Sequence, residues 1–191
     1  DTSGSMAGDE NMMANCFGAA MVQLASTQGR KVYILGFNGR VTLLHKYEKK
    51  KAYIMTSYGS LGSHEWGVDK VRWVETPAAN ALHSVMSMQA GGGTCFGTAM
   101  TAALSLLSEA KDADLVMLSD AADRMPRRIV DQCNAMKARL GMRTSALFIS
   151  HYRTKDLETQ HSKWADTITG VSPDPATMLE GLTDMAAAAI K

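Results

Sequence analysis

Paired cysteines, a surplus of either charge and long apolar runs are all missing from this chain, and each absence closes off a class of protein. The three cysteines, Cys16, Cys95 and Cys133, stand far apart and make no Cys-x-x-Cys pair. No disulfide framework or zinc knuckle is therefore legible, and reduced thiols of a cytoplasmic protein are the expectation. Lys and Arg number 20 against 19 Asp and Glu, a net charge of +1, and nothing in that balance calls for nucleic acid or a membrane surface as partner. No apolar run approaches the ~20 residues that cross a bilayer, and no signal-peptide pattern is present. What remains is 191 residues, a length for one domain, 1–191, with a buried core.

Within that length, apolar spacing alternates between helix and strand. Met12, Met13, Cys16, Phe17, Ala20, Met21 and Leu24 recur at helical spacing and predict a helix ending near Gly29. Residues 31–37 read as a buried strand, and Asn38-Gly39 ahead of 41–44 is a hairpin signal that predicts one antiparallel edge strand. The pattern then degrades across an insertion-like segment, 45–75. Its charged run 45–51 reads as a solvated face, and its Gly- and Ser-rich part, 56–67, reads as a long loop. Tyr58, Trp66 and Trp73 there are either a contact surface or the cover of a small satellite core, and His64-Glu65 is a poor metal pair because sequence neighbours seldom converge.

Pro77 opens a helix running to residue 88, and a second is expected over 97–110 after Gly91-Gly92-Gly93. Those glycines resemble a phosphate cradle, but the Gly-Lys-Ser/Thr ending of a P-loop is absent. The apolar run 115–119 ends on Asp120, as a central parallel strand does when it delivers a carboxylate at its carboxyl end. A helix after Pro126, a strand over 144–149, a short strand over 164–168 and a final helix over 176–191 complete the alternation. The expected fold is α/β, a doubly wound, mostly parallel central sheet with one antiparallel edge strand.

The chemistry concentrates in Asp1-Thr2-Ser3-Gly4-Ser5, a carboxylate and two hydroxyls at alternate positions around a glycine. Such a turn can aim three oxygens at one hard cation. Together with Thr94 and the strand-end Asp120, it resembles the metal-ion-dependent adhesion site of von Willebrand factor A domains, a likeness covering nearly the whole chain. The resemblance implies that Ser3, Ser5 and Thr94 ligate Mg²⁺ (or Mn²⁺ or Ca²⁺) directly or nearly so, with Asp1 and Asp120 acting mainly through water. Hydroxyl ligands are neutral, so the ion keeps positive charge and an exchangeable position, which an Asp or Glu of a protein partner would fill. In the second half, residues 96–120 and Phe148-Ile149-Ser150-His151 are similar to ViaA-type A domains, which implies a MoxR-type AAA+ ATPase as that partner and an adaptor role without catalysis. Members of the fold carry a central strand immediately before the motif's Asp, here Asp1, so that first central strand is expected to be missing and the chain to be a fragment.

Two enzyme classes compete with this reading. A Mg²⁺-dependent phosphotransferase of the haloacid dehalogenase type would use a strand-end Asp with later acids such as Asp120 and Asp123. It requires a second Asp two residues after the nucleophile, where this chain has Ser3. A serine hydrolase built on Ser3 or Ser5 with His64, His83 or His151 lacks a Gly-x-Ser-x-Gly elbow.

Overall fold

Helix α1, Asp9–Thr27, begins with two acidic residues, Asp9 and Glu10, in the turn where the helix dipole favours negative charge. It stops ahead of Gly29, whose φ of 68° ends the helical path. The computed structural model describes residues 1–55, 72–108, 110, 113–149 and 154–172. The chain divides into two compact units, Asp1–Ser105 and Leu106–Lys191.

In the first unit a 3₁₀ turn, Gly4–Met6, leads into α1. Four strands follow: β1 (Val32–Phe37), β2 (Val41–Glu48), β3 (Lys51–Met55) and β4 (Trp73–Thr76). They form one antiparallel sheet in the order β1-β2-β3-β4. Helices α2 (Ala78–Met86) and α3 (Phe96–Leu106) complete the unit. On one sheet face Val22 of α1 and Ala81 of α2 pack on Tyr47 and Ala52, with Val32 and Ile34 beside them. Full burial of an aliphatic side chain of this size contributes about 1.5–3 kcal/mol. His45 and Tyr47, two residues apart on the same face, stack at 6.2 Å; burial lowers the His45 pKa and pushes that of Tyr47 up to about 12. On the opposite face the paired row Tyr33, Lys46, Tyr53 sets the Lys46 ammonium 4.3 Å above the Tyr53 ring and 5.2 Å from that of Trp73.

The second unit holds β5 (Asp114–Ser119), α4 (Arg127–Leu140), β6 (Arg143–Ile149), α5 (Thr154–His161) and β7 (Thr167–Val171), its strands forming a parallel sheet in the order β5-β6-β7. Helix α4 ends on Gly141 in the left-handed conformation, with Lys137 and Arg139 in the last turn, where the dipole favours cations. Thr144 of β6 donates its N–H and hydroxyl to Asp166 at 2.8 and 2.9 Å, and Lys137 pairs with the same carboxylate. Burial alone would raise the Asp166 pKa; the bonds from Lys137 and Thr144 outweigh it and hold the carboxyl below its usual value.

The α/β alternation expected from the sequence is present, as are the hairpin after Asn38 and the parallel strand ending at Asp120. Three features differ. The described strands lie in a four-stranded antiparallel and a three-stranded parallel sheet, so the antiparallel part exceeds the one edge strand expected. The charged run 45–51, expected as a solvated face, forms the end of β2, a two-residue turn and the start of β3: Lys49, Lys50 and Lys51 are exposed, but His45 and Tyr47 are buried. Helix α1 also buries Met13, Phe17, Val22 and Ala25, while Met12, expected in the core, is 57% exposed, and Cys16 is exposed. Residues 56–71, with Tyr58, His64, Glu65 and Trp66, and residues 173–191, with the expected final helix, lie outside the described residues. Among the described residues no helix is long and apolar enough to cross a membrane.

Candidate metal centre

The opening turn is built from the backbone outward. Thr2 donates its N–H (2.6 Å) and its hydroxyl (2.9 Å) to the Phe37 carbonyl, where the β1–β2 register shifts. Its own carbonyl accepts the Gly91 N–H at 2.9 Å, and Gly4 N–H donates to the Gly92 carbonyl at 2.8 Å. The first residues of the chain are thus stitched to the end of β1 on one side and to the glycine-rich loop on the other. Glycine is favoured twice at that seam. A Cβ on Gly4 would stand 3.2 Å from the Gly92 carbonyl oxygen, and Gly92, at φ 81°, has the Asn38 amide 3.2 Å from where its Cβ would be.

This stitching gathers oxygens. The Asp1 carboxylate accepts the Ser3 N–H at 2.8 Å, and the Ser3 hydroxyl lies 3.1 Å from that of Ser5. Ser3 is 1% exposed, Asp1 half-buried and Ser5 exposed, so the cluster opens from the interior to the surface. Oxygens on adjacent corners of an octahedron of 2.0–2.1 Å bonds stand ~2.9 Å apart. The Ser3–Ser5 spacing is therefore close to what two hydroxyl ligands of Mg²⁺ need, and the donor set, all oxygen and mostly neutral, suits a hard cation. Among the described residues no three His, Cys, Asp or Glu side chains cluster, so a cation here would rely on hydroxyls.

Thr94, half-buried, stands in the loop whose Gly91 and Gly92 are bonded to Thr2 and Gly4. The structure thus brings together Asp1, Ser3 and Ser5 and places the Thr94 loop against their turn. Asp120 belongs to the second unit, immediately after β5. Its carboxylate accepts the Ala122 N–H at 3.0 Å, and the Ser119 hydroxyl donates to it at 3.4 Å. Between them Ala121 has φ 65°, a left-handed backbone at a residue with a Cβ, the kind of local strain that gathers at functional turns. Of the histidines considered as a catalytic base, His83 is exposed on α2; His64 and His151 lie outside the described residues.

Sequence reading missed the residues that hold this seam. Asn11 and Asn15, one helical turn apart on α1, donate to the Met88 carbonyl at 2.7 and 3.0 Å, fixing the chain that leads from α2 into the glycines. Asn38, read only as a turn residue, bonds the glycine-rich loop directly, its amide donating to the Gly91 carbonyl at 2.8 Å. Asparagine in a turn and asparagine in a helix carry no signal for a partner more than fifty positions away.

With this geometry established, comparison with solved structures finds a protein of the same fold. A von Willebrand factor type A protein from Catenulispora acidiphila aligns with 98% of this chain and 40% of its own, at TM-score 0.60 and 19% identity. That degree of likeness shows a shared fold, with this chain spanning 40% of the length of the solved protein. An uncharacterized membrane spanning protein from Vibrio fischeri aligns over 98% of this chain and 95% of its own at TM-score 0.32 and 12% identity, too distant to bear on the fold. No protein-family model matches the chain, and no curated protein matches it.

Proposed function

We propose that this chain is a metal-dependent protein-binding module. Ser3, Ser5 and Thr94 supply hydroxyls to a divalent cation, Mg²⁺ or alternatively Mn²⁺ or Ca²⁺, and Asp1 contributes its carboxylate. Asp120 is the fifth member that the resemblance to adhesion sites implies. The observation that carries the reading is the buried Ser3 hydroxyl 3.1 Å from that of Ser5, on a turn braced by the Asp1 carboxylate. When bound, the ion would offer a Lewis-acidic position to an incoming carboxylate. The chain's own residues orient the hydroxyls and leave Ser5 and the glycine-rich loop open to the surface. A Glu or Asp side chain of a protein partner fills that position, and a MoxR-type AAA+ ATPase in the cytoplasm is the partner class that the resemblance of the second half favours. The module binds without turning over a substrate.

The vWA-like fold supports an interaction role, and the phosphotransferase alternative finds no Asp where it needs one, because position 3 is a buried serine. The test is partner binding in Mg²⁺ and in chelator, with wild type and Thr94→Ala. Binding that needs both Mg²⁺ and Thr94 supports the proposal. Binding that ignores both contradicts it, and phosphatase turnover abolished by Asp1→Asn would favour the enzyme.

A further inference from the structure

We propose that Asn38 is a positioning residue for the metal site, the group that holds the Thr94 loop in register with the opening turn; this rests on the metal-binding reading above. Asn38 has every polar group of its backbone and side chain engaged. Its N–H donates to the Arg40 carbonyl at 2.9 Å, and its side-chain oxygen accepts the Arg40 N–H at 3.1 Å. These two bonds close the turn after β1 and fix the side chain's direction. The remaining two reach across to the glycine-rich loop: the amide donates to the Gly91 carbonyl at 2.8 Å, and the Asn38 carbonyl accepts the Cys95 N–H at 3.0 Å. Residues 91–95 are thereby gripped at both ends by one residue, with Thr94 in the span between.

The grip also explains the loop's composition. Gly92 passes so close to the Asn38 amide that a Cβ would stand 3.2 Å from its nitrogen, and its φ of 81° suits glycine. Three consecutive glycines are pliant, and the backbone entropy they would keep if untethered works against a fixed Thr94 hydroxyl. The neighbour on the other side is placed by the same strand end, because Phe37, directly before Asn38, accepts both bonds from Thr2. Two consecutive residues therefore set the two hydroxyl-bearing segments relative to each other. Asparagine places its donor and its acceptor on separate atoms of one short neutral side chain, which the single hydroxyl oxygen of serine or threonine cannot do.

The test is Mn²⁺ binding by calorimetry with wild type, Thr94→Ala, Asn38→Ala and Asn38→Ser, each well below its own melting temperature. The Asn38→Ser variant would keep an oxygen for the Arg40 N–H and stay neutral but fall short of the Gly91 carbonyl. Removing groups that orient ligands typically weakens metal affinity by about 10–100-fold, and a loss of at least roughly tenfold is expected for both Asn38 variants at unchanged stoichiometry. A merely structural role would lower the melting temperature and leave the affinity of the folded protein unchanged, which overturns the proposal. Should both variants fail to fold, hydrogen exchange of the Asn38 side-chain amide in wild type decides: slowing on Mg²⁺ addition supports the role, and no change overturns it. Wild type that takes up no Mn²⁺ sinks the metal reading and this inference together. Uptake that depends on Thr94 but not on Asn38 overturns the inference alone.

Discussion

The smallest decisive unit here is a single hydroxyl. Ser3 is 1% exposed and faces Ser5 across 3.1 Å, so Ser3→Ala removes a proposed ligand with little change of volume. It is expected to weaken Mg²⁺ binding at least tenfold while shifting stability by no more than about 1.5 kcal/mol, the scale of one hydrogen bond; calorimetric titration and denaturant unfolding check the two parts. Ala121 is the second such place. Its φ of 65° would suit glycine, and Ala121→Gly is expected to stabilise the fold by roughly 0.5–1 kcal/mol, the relief of left-handed strain less the added freedom of the unfolded chain; the denaturant midpoint reads it. The candidate oxygens were all legible in the sequence because Asp, Ser and Thr advertise their chemistry. Asn38, Asn11 and Asn15 were not, since what makes them matter is a carbonyl brought near only by folding.

Elements show a different mixture of the legible and the hidden. The hairpin β2–β3 escaped notice because its turn is Lys49-Lys50, both at positive φ, 51° and 63°. Two-residue turns of this shape favour Asn-Gly, and a lysine pair inside a charged run gives no such signal. Lys49→Asn with Lys50→Gly is therefore expected to stabilise the protein by about 1 kcal/mol, seen as a raised melting temperature. On α1 the apolar spacing was correct but the buried face lies about one position away, so Met13→Ala is expected to destabilise by about 2–5 kcal/mol and Met12→Ser by no more than ~0.5 kcal/mol. On α5, His161 is fully buried against Phe148 at 4.5 Å and accepts the Trp164 indole N–H at 3.4 Å. Burial first, then the Arg124 charge, lower its pKa, with Asp123 opposing. The unfolded chain takes up that proton near the ordinary value of 6.5, so the stability from neutral His161 is present above pH ~6.5 and lost as pH falls from there toward the depressed folded value. Unfolding free energy should decline over that window, and His161→Phe should flatten part of the decline, His45 supplying the rest.

At the scale of the whole molecule, helix–strand alternation was enough to anticipate the α/β class, and the resemblance carried by the opening motif, Thr94 and Asp120 was what anticipated the vWA-like fold. Strand pairing was the harder part. Each strand shows its own periodicity, but which neighbour it bonds depends on contacts distant along the chain, and the four-stranded antiparallel sheet drew two members from the segment read as an insertion. The account as a whole stands on a cation held by hydroxyls at the opening turn. Its most direct test is calorimetric titration of wild-type protein with Mg²⁺ beside Ser3→Ala and Thr94→Ala. The account predicts one bound ion per chain for wild type, with affinity reduced at least tenfold in each variant while both remain folded; Mg²⁺ binding that is absent in wild type, or unchanged in both folded variants, would contradict it.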